Sequence, residues 1–189
     1  MPHMHQVTRI PTLSHCFCAV DLGIDALVVY EQAVNGMLSE KYRIAVPAGQ
    51  GPRHIAYAGN GNAYLVTEIG NCVYPVIFDE NVGEVVGEGV STLEDLSSVN
   101  LAAALWTTPD DEGLLVSNRG EGTIVRYAIP SLEKTAVYRL PAKQPRDFCI
   151  LDDQRIVAAC QDFGLVLLKD GKVADALPYM GAVRVLCIS

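Results

Sequence analysis

Four stretches of the chain repeat one order of apolar and polar positions. Each has an apolar run, a turn containing Gly, Asn, Asp or Pro, a second apolar run and a closing polar residue, which we call the pivot. The stretches begin HQVTRIPTLSHCFCAVD at His5, RHIAYAGNGNAYLVTE at Arg53, AALWTTPDDEGLLVSN at Ala103 and RDFCILDDQRIVAACQ at Arg146. Their starts are 48, 50 and 43 residues apart, a spacing typical of propeller blades built from four short antiparallel strands.

A third apolar run follows each pivot, with the sequences ALVVYE, CVYPVIF, TIVRYAI and GLVLLKD. Val, Ile, Tyr and Leu dominate these runs and favour strands. Only Ser91 to Leu105 resembles a capped helix. Because a β-sandwich has no reason to repeat a polar pivot at constant phase, we predict an all-β protein of about four β-propeller blades. The blades are expected at about residues 1–50, 51–100, 101–143 and 144–189 of a single domain.

The polar residues at the ends of the first two strands of each unit are the candidate site. The first residue and the pivot are 16 residues apart in the first unit and 15 in the others. A hairpin of that length places its two ends side by side, and blades around an axis place equivalent positions at one height. We therefore predict that one opening collects His5, Asp21, Arg53, Glu68, Asn118, Arg146 and Gln161, with Arg119 beside its pivot.

This set of side chains suits the hydrolysis of an anionic lactone. Water attack on the ester carbonyl builds an oxyanion that an arginine stabilises, while a carboxylate or an imidazole accepts the proton of the water. Arginines also hold a phosphate or carboxylate in a forked geometry. We expect Asp21, Asn118 and Gln161 to contribute to substrate binding. In the alternative interpretation, all these residues only satisfy backbone groups around a wet channel.

Composition narrows the classes of partner. The net charge is −8 and the sequence pI is about 4.9, so the chain lacks the dense basic face that binds a phosphate backbone, and no nucleic-acid partner is expected. The sequence shows no run of eighteen apolar residues and no basic region followed by an apolar one at its start. We therefore expect no membrane partner and a cytoplasmic location.

The cysteines and the N-terminal histidines give little support to a metal site. The six cysteines have neither zinc-ribbon nor disulfide-framework spacing, and they are expected to be buried thiols in a reducing compartment. Cys16 and Cys18 with His15 are a weak candidate, because alternation along a strand places His15 on the opposite face. The pair His3 and His5 has a spacing compatible with metal binding. We expect no metal and no other cofactor.

The blade motifs resemble a known family. The segments MPHMH, AVDLGIDALVVY, GQGPRHIAYAGNGNAYLVTEIG, LLVSNRGEGTIVRY and QPRDFCILDD are similar to successive motifs of the 6-phosphogluconolactonase-like family of seven-bladed propellers, which includes fungal carboxy-muconate cyclising enzymes. The resemblance implies His5, Arg53 and Glu68 as catalytic histidine, arginine and glutamate. It implies either Arg119 or Arg146 as a further anion-binding arginine.

The chain departs from that family in extent. It accounts for about four blades, so the propeller is expected to be incomplete relative to a seven-bladed ring, and the unit after Gln161 is short. An unclosed ring exposes apolar surface and unpaired backbone groups. A tight four-bladed ring, a fragment that needs its missing half and a homodimer joined through the open blade edges are the alternatives, and we favour the homodimer.

The leading functional hypothesis is a lactonase that acts on a small anionic sugar lactone such as 6-phosphogluconolactone. Glu68 or His5 would activate water, and Arg53 would stabilise the oxyanion. Two alternatives are a non-catalytic propeller scaffold or binding module, and a cycloisomerase acting on a muconate-type diacid, which would use the same arginines on carboxylates.

Overall fold

The computed structural model describes residues 1–186, which form four antiparallel sheets. Cys187 and the end of the fourth predicted blade lie outside the described residues. Each sheet falls within one of the predicted blade ranges. The all-β prediction is confirmed, and β-strands joined by tight turns make up almost all of the regular structure. None of the helices in the described range has the length and apolar character needed to cross a membrane.

The strands follow chain order across each sheet. The first sheet contains β1 (Met4–Arg9), β2 (Cys16–Asp21), β3 (Ala26–Gln32) and β4 (Leu38–Ala45), with a short 3-10 helix at Leu22–Ile24. The second contains β5 (Pro52–Tyr57), β6 (Ala63–Thr67), β7 (Cys72–Phe78), β8 (Gly83–Val85) and β9 (Val90–Ser91). The third contains β10 (Leu101–Thr107), β11 (Gly113–Arg119), β12 (Thr123–Ala128) and β13 (Lys134–Arg139). The fourth contains β14 (Pro145–Ile150), β15 (Ile156–Cys160), β16 (Gly164–Lys169) and β17 (Lys172–Pro178).

Three local features bear on the predicted strands. The outermost strand of the second sheet is divided, since β8 and β9 both pair with β7. The short fourth unit nevertheless contains all four of its strands, because only two residues join β16 to β17, whereas five join the last two strands of the first and third sheets. The stretch that resembled a capped helix contains none: residues 92–100 connect two sheets, and β10 begins at Leu101.

The chain divides into two compact units, Met1–Ser91 and a second unit that begins at Thr92. The single-domain assignment stays a prediction. In the first unit, the first two sheets share a core that includes Cys18, Leu27 and Leu65. In the second unit, Phe148 and Leu168 of the fourth sheet pack with residues of the third. Each unit therefore has an apolar core of its own. Fully burying one aliphatic or Phe side chain in such a core contributes about 1.5–3 kcal/mol to stability.

The first strand of every sheet contains a register irregularity close to its start. The irregularities lie between Met4 and Gln6, Pro52 and His54, Ala102 and Leu105, and Pro145 and Asp147. A β-bulge of this kind inserts an extra residue and turns its side chain away from simple alternation. The inserted residues are His5, Arg53, the pair Ala103 and Ala104, and Arg146, so the bulge recurs where each repeated stretch of the sequence begins.

Candidate active site

The first unit brings the start of each first strand beside the end of the second strand. Met4 pairs with Asp21 in the first sheet, and Pro52 pairs with Thr67 in the second. The Glu68 backbone N–H donates to the Gly51 carbonyl at 2.7 Å, which extends this pairing by one step. The proposed geometry of the hairpin ends is therefore present in both sheets of this unit.

Arg53 lies between the other two predicted catalytic residues. Its Nη1 is 2.7 Å from His5 Nε2 and forms an ion pair with Glu68 Oε2. His5 Nε2 is itself 4.0 Å from that carboxylate oxygen. The Arg53 side chain is 3% exposed and the Glu68 side chain 16%, and the His5 side chain is also 16% exposed. The structure thus brings His5, Arg53 and Glu68 together, with the cation buried and its two partners reachable from solvent.

The arginine contact fixes the tautomer of His5. A guanidinium nitrogen has only N–H donors and cannot accept a hydrogen bond, so Nε2 of His5 is the acceptor in its contact with Arg53. The proton of the neutral imidazole therefore lies on Nδ1. One terminal nitrogen of Arg53 thus serves two acceptors, an imidazole from the first sheet and a carboxylate from the second.

The ring of His54 packs against the ring of His5. The two ring centroids are 5.6 Å apart in an edge-on arrangement. His54 follows the bulged Arg53 directly, since the register irregularity lies between Pro52 and His54. The packing of His54 on β5 against His5 on β1 therefore adds a second contact between these first strands beside the cluster.

Gln6 is a second residue that the sequence did not single out. Its side-chain Oε1 accepts a hydrogen bond of 2.6 Å from the Ile55 backbone N–H, which joins β1 to β5. The contact lies one residue after His5 and two residues after Arg53. It holds the two first strands together beside the point where their bulged side chains meet.

Asp21 has a local structural contact. It is 3% exposed, and its Oδ1 accepts the backbone N–H groups of His3 at 2.7 Å and Gly23 at 3.0 Å. The carboxylate therefore caps the 3-10 helix and fixes the chain before β1. Its predicted part in substrate binding stays a prediction.

The other predicted binding residues belong to the second unit. Asn118 is fully buried, and its amide nitrogen donates to the Thr92 carbonyl at 2.8 Å. Arg119 is 8% exposed and donates to the Ala102 carbonyl at 3.4 Å. Arg146 is half-buried, and Gln161 is exposed beside the turn after β15. The predicted convergence of these residues with those of the first unit stays a prediction.

The two cysteines of the weak metal candidate face the core. Cys16 and Cys18 are 1% and 0% exposed and belong to the apolar cluster of the first unit, and burial raises the pKa of the Cys18 thiol to about 12. The prediction of buried cysteines is confirmed for Cys16, Cys18, Cys149 and Cys160, while Cys72 is half-buried. His3 and His5 have ring centroids 5.9 Å apart. Within residues 1–186, no three His, Cys, Asp or Glu side chains are grouped so that they could hold a metal ion.

Comparison with known proteins adds a family match. A family model described as lactonase, seven-bladed β-propeller, matches residues 1–168. The 6-phosphogluconolactonase of Bacillus subtilis is 32% identical over 186 residues, covering 93% of this chain and 52% of that protein. The chain thus spans about half the length of the curated relatives that it matches.

Solved structures show the same fold. A protein from Lactobacillus plantarum is 27% identical with a TM-score of 0.82, and the match covers 96% of this chain and 56% of that one. The periplasmic gluconolactonase of Pseudomonas aeruginosa is 24% identical with a TM-score of 0.83, and the match covers 96% of this chain and 55% of that one.

Proposed function

We propose that this chain, which belongs to the family of seven-bladed β-propeller lactonases, takes part in the hydrolysis of a sugar lactone, with 6-phosphogluconolactone as the first substrate to test. The names of the Bacillus and Pseudomonas relatives support a lactone substrate. One observation carries the proposal: the Arg53 guanidinium is held between the imidazole of His5 and the carboxylate of Glu68.

The arrangement supplies the two chemical requirements of lactone opening. Addition of water to the ring carbonyl places negative charge on the carbonyl oxygen, and the positive charge of Arg53 opposes it. The water must also lose a proton, and Glu68 or the Nε2 atom of His5 can accept it. Collapse of the adduct then breaks the ring C–O bond, and the same group returns the proton to the departing ring oxygen, which becomes the hydroxyl of the open acid. In the arrangement described, Arg53 donates to both of these atoms, so the acceptor exchanges its hydrogen bond from Arg53 for one from the attacking water.

The pattern of exposure supports this division of roles. Glu68 and His5 retain partial access to solvent, which a group that takes a proton from water requires. Arg53 is almost completely buried behind them, where its charge is less screened than at a surface and acts more strongly on a nearby oxyanion. Its position is therefore better suited to charge stabilisation than to proton transfer.

A lactone-opening assay tests the proposal. The rate of the full chain with 6-phosphogluconolactone, corrected for spontaneous hydrolysis, should exceed the background, and Glu68→Gln should remove the excess. Glu40→Gln is the matched control, because Glu40 forms an exposed pair with Arg43, with hydrogen bonds of 2.7 and 2.8 Å. An excess that survives in Glu68→Gln contradicts the proposed roles. Folded protein with no excess supports a binding module, and turnover of a muconate-type diacid alone supports a cycloisomerase.

We also propose that two chains associate through exposed sheet surface. On β1, Met4 and Val7 are 49% and 57% exposed, and exposed apolar side chains on a first strand favour association. Light scattering at micromolar concentration should report a mass of two chains. A strictly monomeric species at that concentration contradicts the proposal.

A cytoplasmic location is a further proposal. Cys16, Cys18, Cys72 and Cys160 are free thiols, which agrees with a reducing compartment. The Pseudomonas relative, by contrast, is described as periplasmic. Cell fractionation with compartment markers distinguishes the two, and recovery of the native protein outside the cytoplasm contradicts the proposal.

A further inference from the structure

The segment before Arg53 is held by a carboxylate from the preceding sheet. Asp25 lies in the turn between β2 and β3, and its Oδ2 accepts the Gly49 backbone N–H at 2.8 Å. Its Oδ1 accepts the Gly51 backbone N–H at 2.7 Å. Hydrogen bonds from N–H groups to a carboxylate are stronger than those between neutral groups. Asp25 therefore fixes the connection between the first and second sheets with two charge-assisted hydrogen bonds.

Gly51 links the segment held by Asp25 to the pair of Arg53 and Glu68. Its N–H is held by Asp25, while its carbonyl accepts the Glu68 backbone N–H at 2.7 Å. Arg53 follows only two residues later in the chain. Gly51 has a φ of +60°, and a Cβ at this position would come within 2.9 Å of the Ile69 side chain, so a glycine is required for this backbone path.

From this chain of contacts we infer that Asp25 is a positioning residue for the Arg53 and Glu68 pair. The inference rests on the proposed function, because it assigns Asp25 the task of holding the pair in its reactive geometry. Asp25 acts through Gly51 and is not placed in contact with substrate. Because a displacement of about 1 Å at reacting groups can lower a rate by about 100-fold, loosening this segment should slow turnover without removing any reacting side chain.

The second unit contains a related arrangement. Asp162 accepts the backbone N–H groups of Lys143 at 2.7 Å and Gln144 at 2.9 Å. The Gln144 carbonyl then accepts the Gln161 backbone N–H at 2.9 Å, as the Gly51 carbonyl accepts that of Glu68. Asp162 differs from Asp25 because it lies in the turn after β15 of the same sheet and accepts two adjacent N–H groups. Its relay also ends at the uncharged pivot Gln161 and not at a carboxylate.

The experiment compares Asp25→Asn with Asp162→Asn in the full chain. An asparagine keeps one accepting oxygen and replaces the other with an NH2 group that cannot accept, so each variant breaks one of the two hydrogen bonds. Asp25→Asn should lower kcat for lactone opening by about 10- to 100-fold with little change in KM. Asp162→Asn should leave kcat unchanged.

Amide hydrogen exchange gives a second readout that does not depend on activity. Asp25→Asn should accelerate exchange at Gly51 and Glu68 by about tenfold or more, and Asp162→Asn should do so at Gln144 and Gln161. If both variants lower kcat equally, or if Asp25→Asn leaves both kcat and Glu68 exchange unchanged, the inference is overturned. If wild type opens no lactone, the proposed function fails, and the exchange pattern alone decides whether Asp25 positions the pair.

Discussion

The two units of the molecule share a backbone arrangement and differ in the side chains placed on it. Both contain two antiparallel blades with a bulge at the start of each first strand. In the first unit the bulges present His5 and Arg53, which meet. In the second they present Ala103, Ala104 and Arg146. The repeated blade thus supplies the position, while a few residues decide whether reactive side chains stand there.

The pivots show the same contrast. Glu68 forms an ion pair with the bulged arginine of its own sheet, whereas Gln161 is exposed and uncharged. Asn118 is buried, and its amide donates to the Thr92 carbonyl and the Thr123 hydroxyl. Equivalent positions thus serve a candidate site in the first unit and internal structure in the third blade. Three sets of variants and one pair of thiols test how far this contrast between the two units extends.

Replacing Arg53, the arginine at the bulge of the second sheet, should have the largest effect on the free energy of unfolding. Arg53→Gln leaves the Glu68 carboxylate largely buried without its cation, and loss of one partner of a buried pair costs about 3–5 kcal/mol. Arg146→Gln at the equivalent bulge should change the free energy of unfolding by less than about 0.5 kcal/mol, because no hydrogen bond or ion pair joins the Arg146 side chain to another residue in the described range. Denaturant unfolding measures both, and equal losses would contradict the comparison.

Loss of the side-chain hydrogen bond between β1 and β5 should have the next largest effect on the free energy of unfolding. Gln6→Leu removes the acceptor of the Ile55 N–H, and an unsatisfied buried donor costs about 1–3 kcal/mol. Gln32→Leu is the control, since Gln32 is exposed and its side chain donates only a long hydrogen bond of 3.5 Å. Urea unfolding should separate the two variants, and indistinguishable midpoints would show that Gln6 does not hold the strands together.

Introducing a carboxylate at the pivot of the fourth sheet should have a smaller effect on the free energy of unfolding. Gln161→Glu places a carboxylate at the pivot of the sheet whose bulge contains Arg146, as Glu68 is the pivot of the sheet whose bulge contains Arg53. An exposed pair of this kind contributes about 0.2–1 kcal/mol. Because the arginine would lower the folded-state pKa of the new carboxyl, the gain is present above its unfolded pKa of about 4.3 and lost as pH falls through the folded pKa. Unfolding at pH 7 and at pH 3 measures the change, and a gain at pH 3 would contradict the assignment.

The buried thiols of the two units should behave alike. Burial raises the pKa of Cys18 in the first unit and Cys160 in the second to about 12. Neither thiol should react with a thiolate-selective reagent at pH 8 until the protein unfolds. The stability that these neutral thiols contribute is complete below their unfolded pKa and is lost as pH rises through about 12. Fast labelling of only one of them in folded protein would show that the two cores differ.

The repeat made most of the fold predictable from the sequence. The apolar runs after each turn gave the strands, and the spacing of His5, Arg53 and Glu68 from their turns gave the end of the sheet where they lie. The stretch around Leu93 was ambiguous, because its Ser, Glu and Leu residues favour a helix locally, while the structure contains none between residues 92 and 100.

The finer arrangement of the site was not predictable. The contact of His5 with Arg53 lies between two bulges, whose presence reflects strand pairing over a longer range than local alternation describes. The roles of Gln6 and Asp25 depend on backbone N–H groups from other segments, and a sequence does not show which donors lack a partner. These contacts emerge only when the sheets are packed against each other.

The central claim is that Arg53 and Glu68 act as one unit in lactone opening, and a double-mutant cycle on kcat/KM tests it most directly. Arg53→Gln, Glu68→Gln and the combined variant are compared with wild type in folded protein. Loss of one charge stabiliser typically costs about 100- to 1000-fold. Because interacting groups give strongly non-additive losses, the double variant should be about as slow as the slower single variant. Losses that multiply would contradict the claim.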